Sequence, residues 1–279
     1  MATKTWSLTA TGDLSVSGNW VPSGVPATTN DVYFPPGSPA VTAGLTALNN
    51  ATLGGPLGRV VFQPGFNGAV ATSTTYMQFT CTSLDFSGTG LAYLDLQASS
   101  ISPQIHNSSN PAVGYAGIYI LGSALSNVNV NGGTVGLAWQ SGETATATTV
   151  SVCGSGATAL IGPGVTLTNV KQTLGYCELH CAASGTVSVY GGTFYSKETG
   201  TIATLHTYGG TIYCESTGTI TTLTSDGGTT NFLTSQQART VSTMKINQGS
   251  MAWDPAVLTV TTQAAADYAI RVSVSKATS

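Results

Sequence analysis

The stretch that decides the fold reads Thr186-Val187-Ser188-Val189-Tyr190-Gly191-Gly192-Thr193, then Thr204-Leu205-His206-Thr207-Tyr208-Gly209-Gly210-Thr211, then Thr222-Leu223-Thr224-Ser225-Asp226-Gly227-Gly228-Thr229. The glycine pairs recur every 18 residues, and an apolar residue stands four before each: Val187, Leu205, Leu223. The pattern extends forward to Met244 before Gln248-Gly249-Ser250 and back to Val170 before Leu174-Gly175. Looser copies place Val150 before Gly154, Val128 before Gly132-Gly133, Leu84 before Gly88 and Val61 before Gly65, with Ile105 before Ser109 as a degenerate rung. A short period with variable insertions is the mark of a solenoid whose repeats are single coils.

The residues between the glycines are β-branched and alternate with period two, as in Thr201-Ile202-Ala203-Thr204-Leu205 and Thr219-Ile220-Thr221-Thr222-Leu223. That reads as strand, not helix. The Gly-Gly pairs are expected to supply corners at positive φ. Repeated hairpins in a β-sandwich are the competing architecture, but 18 residues is long for one hairpin and short for two sandwich strands with their loops. The sequence therefore predicts an all-β, right-handed parallel β-helix. Val170, Val187, Leu205, Leu223 and Met244 form its internal ladder, and about ten coils spaced about 4.8 Å apart make a rod on the order of 50 Å long.

Three regions are expected: a non-repeating N-terminal cap over 1–50, a β-helix body over 51–255, and a C-terminal segment over 256–279. In the first, Trp6-Ser7-Leu8-Thr9-Ala10-Thr11 alternates as a strand and Asp31-Val32-Tyr33-Phe34 forms another. Trp6, Trp20, Tyr33 and Phe34 can fold over the open end of the core. Gly18-Asn19-Trp20, then Gly24-Val25-Pro26, then Asp31-Val32-Tyr33-Phe34 resembles the opening of some β-helical surface proteins, among them autotransporter passengers and phage appendage proteins. In the wide coils Asn107-Ser108-Ser109-Asn110-Pro111 is expected to project outward, and Ala116-Gly117-Ile118-Tyr119-Ile120-Leu121 is an apolar strand. In the last segment Val257-Leu258-Thr259-Val260 is a strand, and Ala269-Ile270-Arg271-Val272-Ser273-Val274 alternates as a cap or as a strand given to a partner subunit.

Charged residues make up 7% of the chain and the formal net charge is −3, against about 25% charged in a typical domain. Without a basic run, binding to nucleic acid is not expected. No apolar run is long enough for a transmembrane helix, and membrane association is not expected. Met1-Ala2-Thr3-Lys4-Thr5-Trp6 lacks the apolar core of a signal peptide. On an extracellular-type composition that fits a virion component freed by lysis, or a chain whose signal has been removed.

The chain has five cysteines, Cys81, Cys153, Cys177, Cys181 and Cys214, with no Cys-x-x-Cys pair. Cys177-Glu178-Leu179-His180-Cys181 superficially suggests a metal site. In a strand, however, 177, 179 and 181 face one way and His180 the other, so buried thiols are the preferred reading. Stacked coils can gather Glu178, Glu198 and Glu215 on one face with Lys171, Lys197 and His206 nearby. Paired carboxylates are what a glycosidase needs, yet no coil carries two acids side by side, and a charge-neutralised outer face is preferred. Tyr190, Phe194, Tyr195, Tyr208 and Tyr213 either pack internally or between subunits, which is preferred, or stack on sugar rings outside.

No residue is assigned a catalytic, metal-binding or cofactor-binding role. The expected function is that of a structural surface protein of a bacteriophage virion, a capsid decoration protein or head fibre. It is expected to form a homotrimer on a capsid or other virion partner, with a glycan as a further possible ligand. The alternative is a carbohydrate-binding or carbohydrate-degrading β-helix.

Overall fold

In a computed structural model, which describes residues 2–97, 100–108 and 114–264, the chain is a parallel β-solenoid of about ten turns. Each tight coil contributes two strands. One runs before the glycine corner, as in Ala183–Val189 and Ile202–Thr207; the other runs after it, as in Tyr176–Leu179, Thr193–Ser196 and Thr211–Cys214; in the next coil Ile220–Asn231 runs unbroken through the corner. Each strand pairs in parallel with its counterpart one coil away.

Like residues stack because the parallel register repeats with the coil. Val128 lies on Val150, then Val170, Val187, Leu205, Leu223 and Met244 in turn. All are buried, so the aliphatic ladder expected from the period is present. Upstream, Leu84 keeps the line, but two expected rungs are off register. Val60, not Val61, aligns with buried Leu84, while Val61 aligns with Asp85 on the outer side. Ile105 aligns with Phe86 and Val130, two positions along from the Leu84 and Val128 line. The wide coils carry insertions, so counting back from a glycine does not preserve register there.

A second inward column changes character along the rod. It runs Phe34, Phe62, Phe86, Ile105, Val130, Val152, Gln172, Val189, Thr207, Ser225 and Ile246. The aromatic end is closed by Trp6 and Trp20, whose rings meet at 4.9 Å, while Phe34 stacks on Phe62 at 4.4 Å. Trp6, Trp20 and Phe34 therefore cap the core as expected, but Tyr33 points outward. The strand at the start is Thr3–Trp6, not Trp6–Thr11: past Trp6 the chain turns, with Ala10 N–H bonded to Ser7 C=O. Trp20–Val21 pairs antiparallel with it. That two-residue strand, followed by Pro22 with no N–H to offer, leaves little edge for another chain to extend.

The parallel ladder already begins within residues 1–50, where Asp31–Phe34 joins Leu57–Phe62, and continues past 256 in Leu258–Gln263. The apolar stretch from Ala116 contributes to the strand Ile118–Val130. Ser108 is buried, its hydroxyl donating to the Thr134 carbonyl at 3.0 Å, and so does not project outward. Ser109, Asn110 and Pro111, and the alternating segment Ala269–Val274, lie outside the described residues.

The glycine corners differ from expectation. Only the second glycine of each pair is left-handed: Gly192, Gly210 and Gly228 have φ near +76 to +79, whereas Gly191, Gly209 and Gly227 do not. The first glycine is needed for space. A Cβ on Gly209 would sit 2.5 Å from the Tyr190 carbonyl oxygen of the coil before it. Ahead of three of the corners the inward residue is polar and satisfies carbonyls at or beside a corner, whereas Val189 in the same column is apolar. Gln172 Nε2 donates to Gly175 and Thr193 at 3.0 Å, Thr207 Oγ1 donates to Gly227, and Ser225 Oγ donates to Gln248 at 2.9 Å. Buried carbonyls need such partners, which explains why a core column turns polar there.

Leu205→Asp or Leu223→Asp should abolish soluble expression, because either buries an unpaired carboxylate in the ladder. A variant that unfolds at the wild-type temperature would show the ladder does not carry the core. At the corners, Gly209→Ala and Gly210→Ala should both lower the unfolding temperature. Gly210→Asn should give no relief, since any Cβ there meets the Gly192 carbonyl oxygen at 2.6 Å. Gly142, at φ +82 with open space around it, should accept Asn far better. Equal losses at Gly142 and Gly210 would refute this distinction.

Candidate functional site

The strand after each glycine corner presents one column of side chains outward. In register it reads Tyr93, Tyr119, Gly136, Leu160, Glu178, Tyr195 and Tyr213. Tyr93 stacks on Tyr119 at 4.8 Å, and Tyr195 stacks on Tyr213 at 4.5 Å. Tyr176, two residues before Glu178 on the same face of its strand, lies 5.5 Å from Tyr195. The inward residues of these strands are Cys177, Leu179, Phe194 and Ile212, all buried.

Period-two alternation thus sets Cys177 and Leu179 inside and Glu178 outside. His180 leaves the strand end on the outer side, while Cys181 is buried. The Cys177 and Cys181 thiols are pushed up by burial, Cys181 to about 12. They are neutral thiols in the core, and among the described residues no group of three or more metal-ligating side chains converges.

The three glutamates do gather, but with cations between them. Glu178 Oε1 lies 2.7 Å from His180 Nε2, and Glu178 Oε2 accepts the Tyr176 hydroxyl at 2.6 Å. His180 Nδ1 lies 2.7 Å from Glu198 Oε1. Lys197 Nζ sits 3.6 Å from both Glu178 and Glu215. Glu198 holds its place at φ 58, a left-handed corner position. Lys197 therefore bridges Glu178 and Glu215, and Glu198 is held by His180.

Burial works to raise the Glu178 pKa, but hydrogen bonds from His180 and Tyr176 and the charge of Lys197 outweigh it and hold the carboxyl at about 2. Burial likewise works against a charged His180, and its bonds to Glu178 and Glu198 overcome this and raise its pKa. The Tyr176 hydroxyl is pushed up by burial and by its bond to Glu178.

Lys171 and His206 do not join this cluster. They align with one another through Ser188 on the other sheet. There His206 Nε2 lies 2.5 Å from Asp226 and its ring stacks on Tyr208 at 4.0 Å. Tyr208 in turn stacks on Tyr190 at 4.5 Å. Of the five aromatic residues singled out in the sequence, only Phe194 is internal; the four tyrosines line the outside.

Beside Glu178 the outer face opens into a groove of about 730 Å³. Its floor is Thr158, Leu160, Tyr176 and Glu178; Tyr115 and Leu174 stand at its rim. The Gly114 end is pinned by the Trp139 indole N–H, which donates to the Gly114 carbonyl at 2.8 Å. Gly136 makes room for this crossing, since a Cβ there would press on Ala116, Trp139 and Tyr119. The Trp139 ring also meets His180 edge-on at 4.8 Å.

Sequence reasoning missed Tyr176, Tyr115, Trp139 and the upstream tyrosines. Tyr176 aligns with Thr193, and it is Glu178 that stands one coil before Tyr195, so the period does not mark Tyr176. Tyr93 and Tyr119 are separated by a wide coil, and Tyr115 and Trp139 meet the site only through an insertion.

Fold and site define a class: a parallel β-solenoid whose outer face carries a tyrosine column, a charge-paired ionic cluster and a groove. Comparison with family models, with curated proteins and with solved structures found no match for this chain.

The cluster predicts a pH optimum of stability. The depressed pKa of Glu178 contributes stability that is full above its unfolded value of about 4.3 and is lost as pH falls below it. The raised pKa of His180 contributes stability that is full below its unfolded value of about 6.5 and is lost as pH rises through the folded value. The cluster therefore stabilises most between about pH 4.3 and 6.5. In a series of melting curves against pH, His180→Gln should flatten the alkaline decline. An unchanged alkaline slope would show that His180 is not the group responsible.

Proposed function

We propose that this chain is a non-catalytic structural rod displayed on the surface of a bacteriophage virion, as a capsid decoration protein or head fibre, and that it acts as a homotrimer. The observation that carries the non-catalytic reading is the pairing of Glu178 with donors and a cation. Its carboxylate is bonded to Tyr176 and His180 and faces Lys197, and its pKa is lowered to about 2. A glycosidase needs one carboxyl with a raised pKa to protonate the leaving group; Glu178 is tuned the opposite way. The low charge and the sealed aromatic end favour a rod built for persistence. The start of the chain resembles those of β-helical surface proteins, and this resemblance supports the virion setting.

Purified protein incubated with a panel of polysaccharides should release no reducing ends, and Glu178→Gln should change nothing. Release that Glu178→Gln abolishes would overturn the non-catalytic reading. Light scattering should return three times the chain mass at micromolar concentration; a monomer would remove the trimer. Gold-labelled antibody against the protein should decorate particles from a lysed culture, and label found only in the soluble fraction would remove the virion setting.

A further inference from the structure

We propose that the groove between Tyr115 and Leu174 binds a neutral saccharide chain lying along the outer face of the rod. This goes beyond the structural role and does not depend on it. A pyranose offers apolar C–H faces and hydroxyl edges, and the groove offers the complement of both. Tyr115 stands at the rim with 64% of its surface exposed and Leu174 with 48%, in a chain whose outer coils are mostly Ser and Thr. Large exposed apolar side chains converging on a concavity mark a binding site rather than a solvated face. On the floor Leu160 and the Tyr176 ring give apolar surface, while Thr158 and Glu178 give hydrogen-bonding groups.

Glu178 keeps capacity for a ligand hydroxyl. A carboxylate has about four acceptor positions, and two are taken by Tyr176 and His180. Its lowered pKa keeps it an acceptor at neutral pH. The shape also fits a chain rather than a compact ligand: beyond Tyr176 the outer face continues with Tyr195 and Tyr213 on successive coils. Charge narrows the class. Glu178, Glu198 and Glu215 face one lysine, Lys197, and the histidine His180. That balance disfavours an anionic polymer, which would set its carboxylates or sulfates against Glu178.

The test is calorimetric titration of the full chain with maltopentaose, cellopentaose, chitopentaose and mannopentaose, and with an oligogalacturonate as the anionic probe. At least one neutral pentasaccharide should bind in the sub-millimolar range, and the oligogalacturonate should not. Tyr115→Ala and Tyr176→Ala should each weaken binding about tenfold, in line with loss of one stacking surface. Tyr176→Phe should keep it, because the ring remains. Tyr208→Ala, on the other sheet, should leave it unchanged. Tyr115 is exposed enough that its variant folds even if Tyr176→Ala does not. The proposal is overturned if no neutral probe binds, if the oligogalacturonate binds as tightly, or if Tyr115→Ala leaves affinity unchanged. It is also overturned if Tyr115→Ala dissociates an oligomer by light scattering, since the groove would then be an interface between copies. None of these results bears on particle labelling, so the structural reading stands or falls separately.

Discussion

Everything in this molecule depends on the parallel hydrogen-bond register between one coil and the next. In such a register residue identity is stacked on residue identity, so each position in the coil becomes a column running along the rod. A column is only as good as its least compatible member. That is why the Val128-to-Met244 line stays aliphatic over its whole length, and why the glycine corners cannot accept a side chain. Each corner lies directly against the carbonyls of the corner before it.

The same constraint explains the change of chemistry along the second inward column. At the start the coils are wide and the space inside them is filled by Phe34, Phe62, Phe66 and Phe86, sealed by the two tryptophans. Toward the tight coils the column moves next to the glycine corners, whose carbonyls point inward. Gln172, Thr207 and Ser225 serve those carbonyls. Arg239 performs a related task near the far end: it is buried, its guanidinium donates to the carbonyls of Cys214 and Ser235, and burial lowers its pKa. A buried polar group is tolerated in each case because its donors are occupied.

On the outer face, stacking concentrates like groups, which for charges would be costly. The ionic cluster avoids this by pairing: His180 and Lys197 follow one another at the same corner, but both face Glu178, while Glu198 pairs with His180 and Glu215 with Lys197. Uncharged tyrosines can repeat without that penalty, and along the column that holds Glu178 two runs of them do. The groove lies between those runs, at the level where Gly136 replaces a tyrosine and the Gly114 segment crosses the sheet.

The sequence by itself determined the parts that repeat. A strict 18-residue spacing with β-branched residues between glycines fits a coil better than hairpins, and period-two alternation places Cys177 inside and Glu178 outside. The legible share of the candidate site is therefore the set Glu178, Glu198, Glu215 and Lys197, which one coil length brings together. Tertiary structure alone decided where the period breaks. It shifted the upstream rungs from Val61 to Val60 and displaced Ile105, because insertions in wide coils change length without changing register. It chose which glycine of each pair is left-handed, a matter of backbone geometry that Gly-Gly leaves open. It separated His206 from Glu178, since His206 lies on the strand before a corner and Glu178 on the strand after one, and the two sets of strands form different sheets. It also built the groove, whose Tyr115 wall is held by Trp139 across 25 residues; no local pattern encodes a contact between two loops.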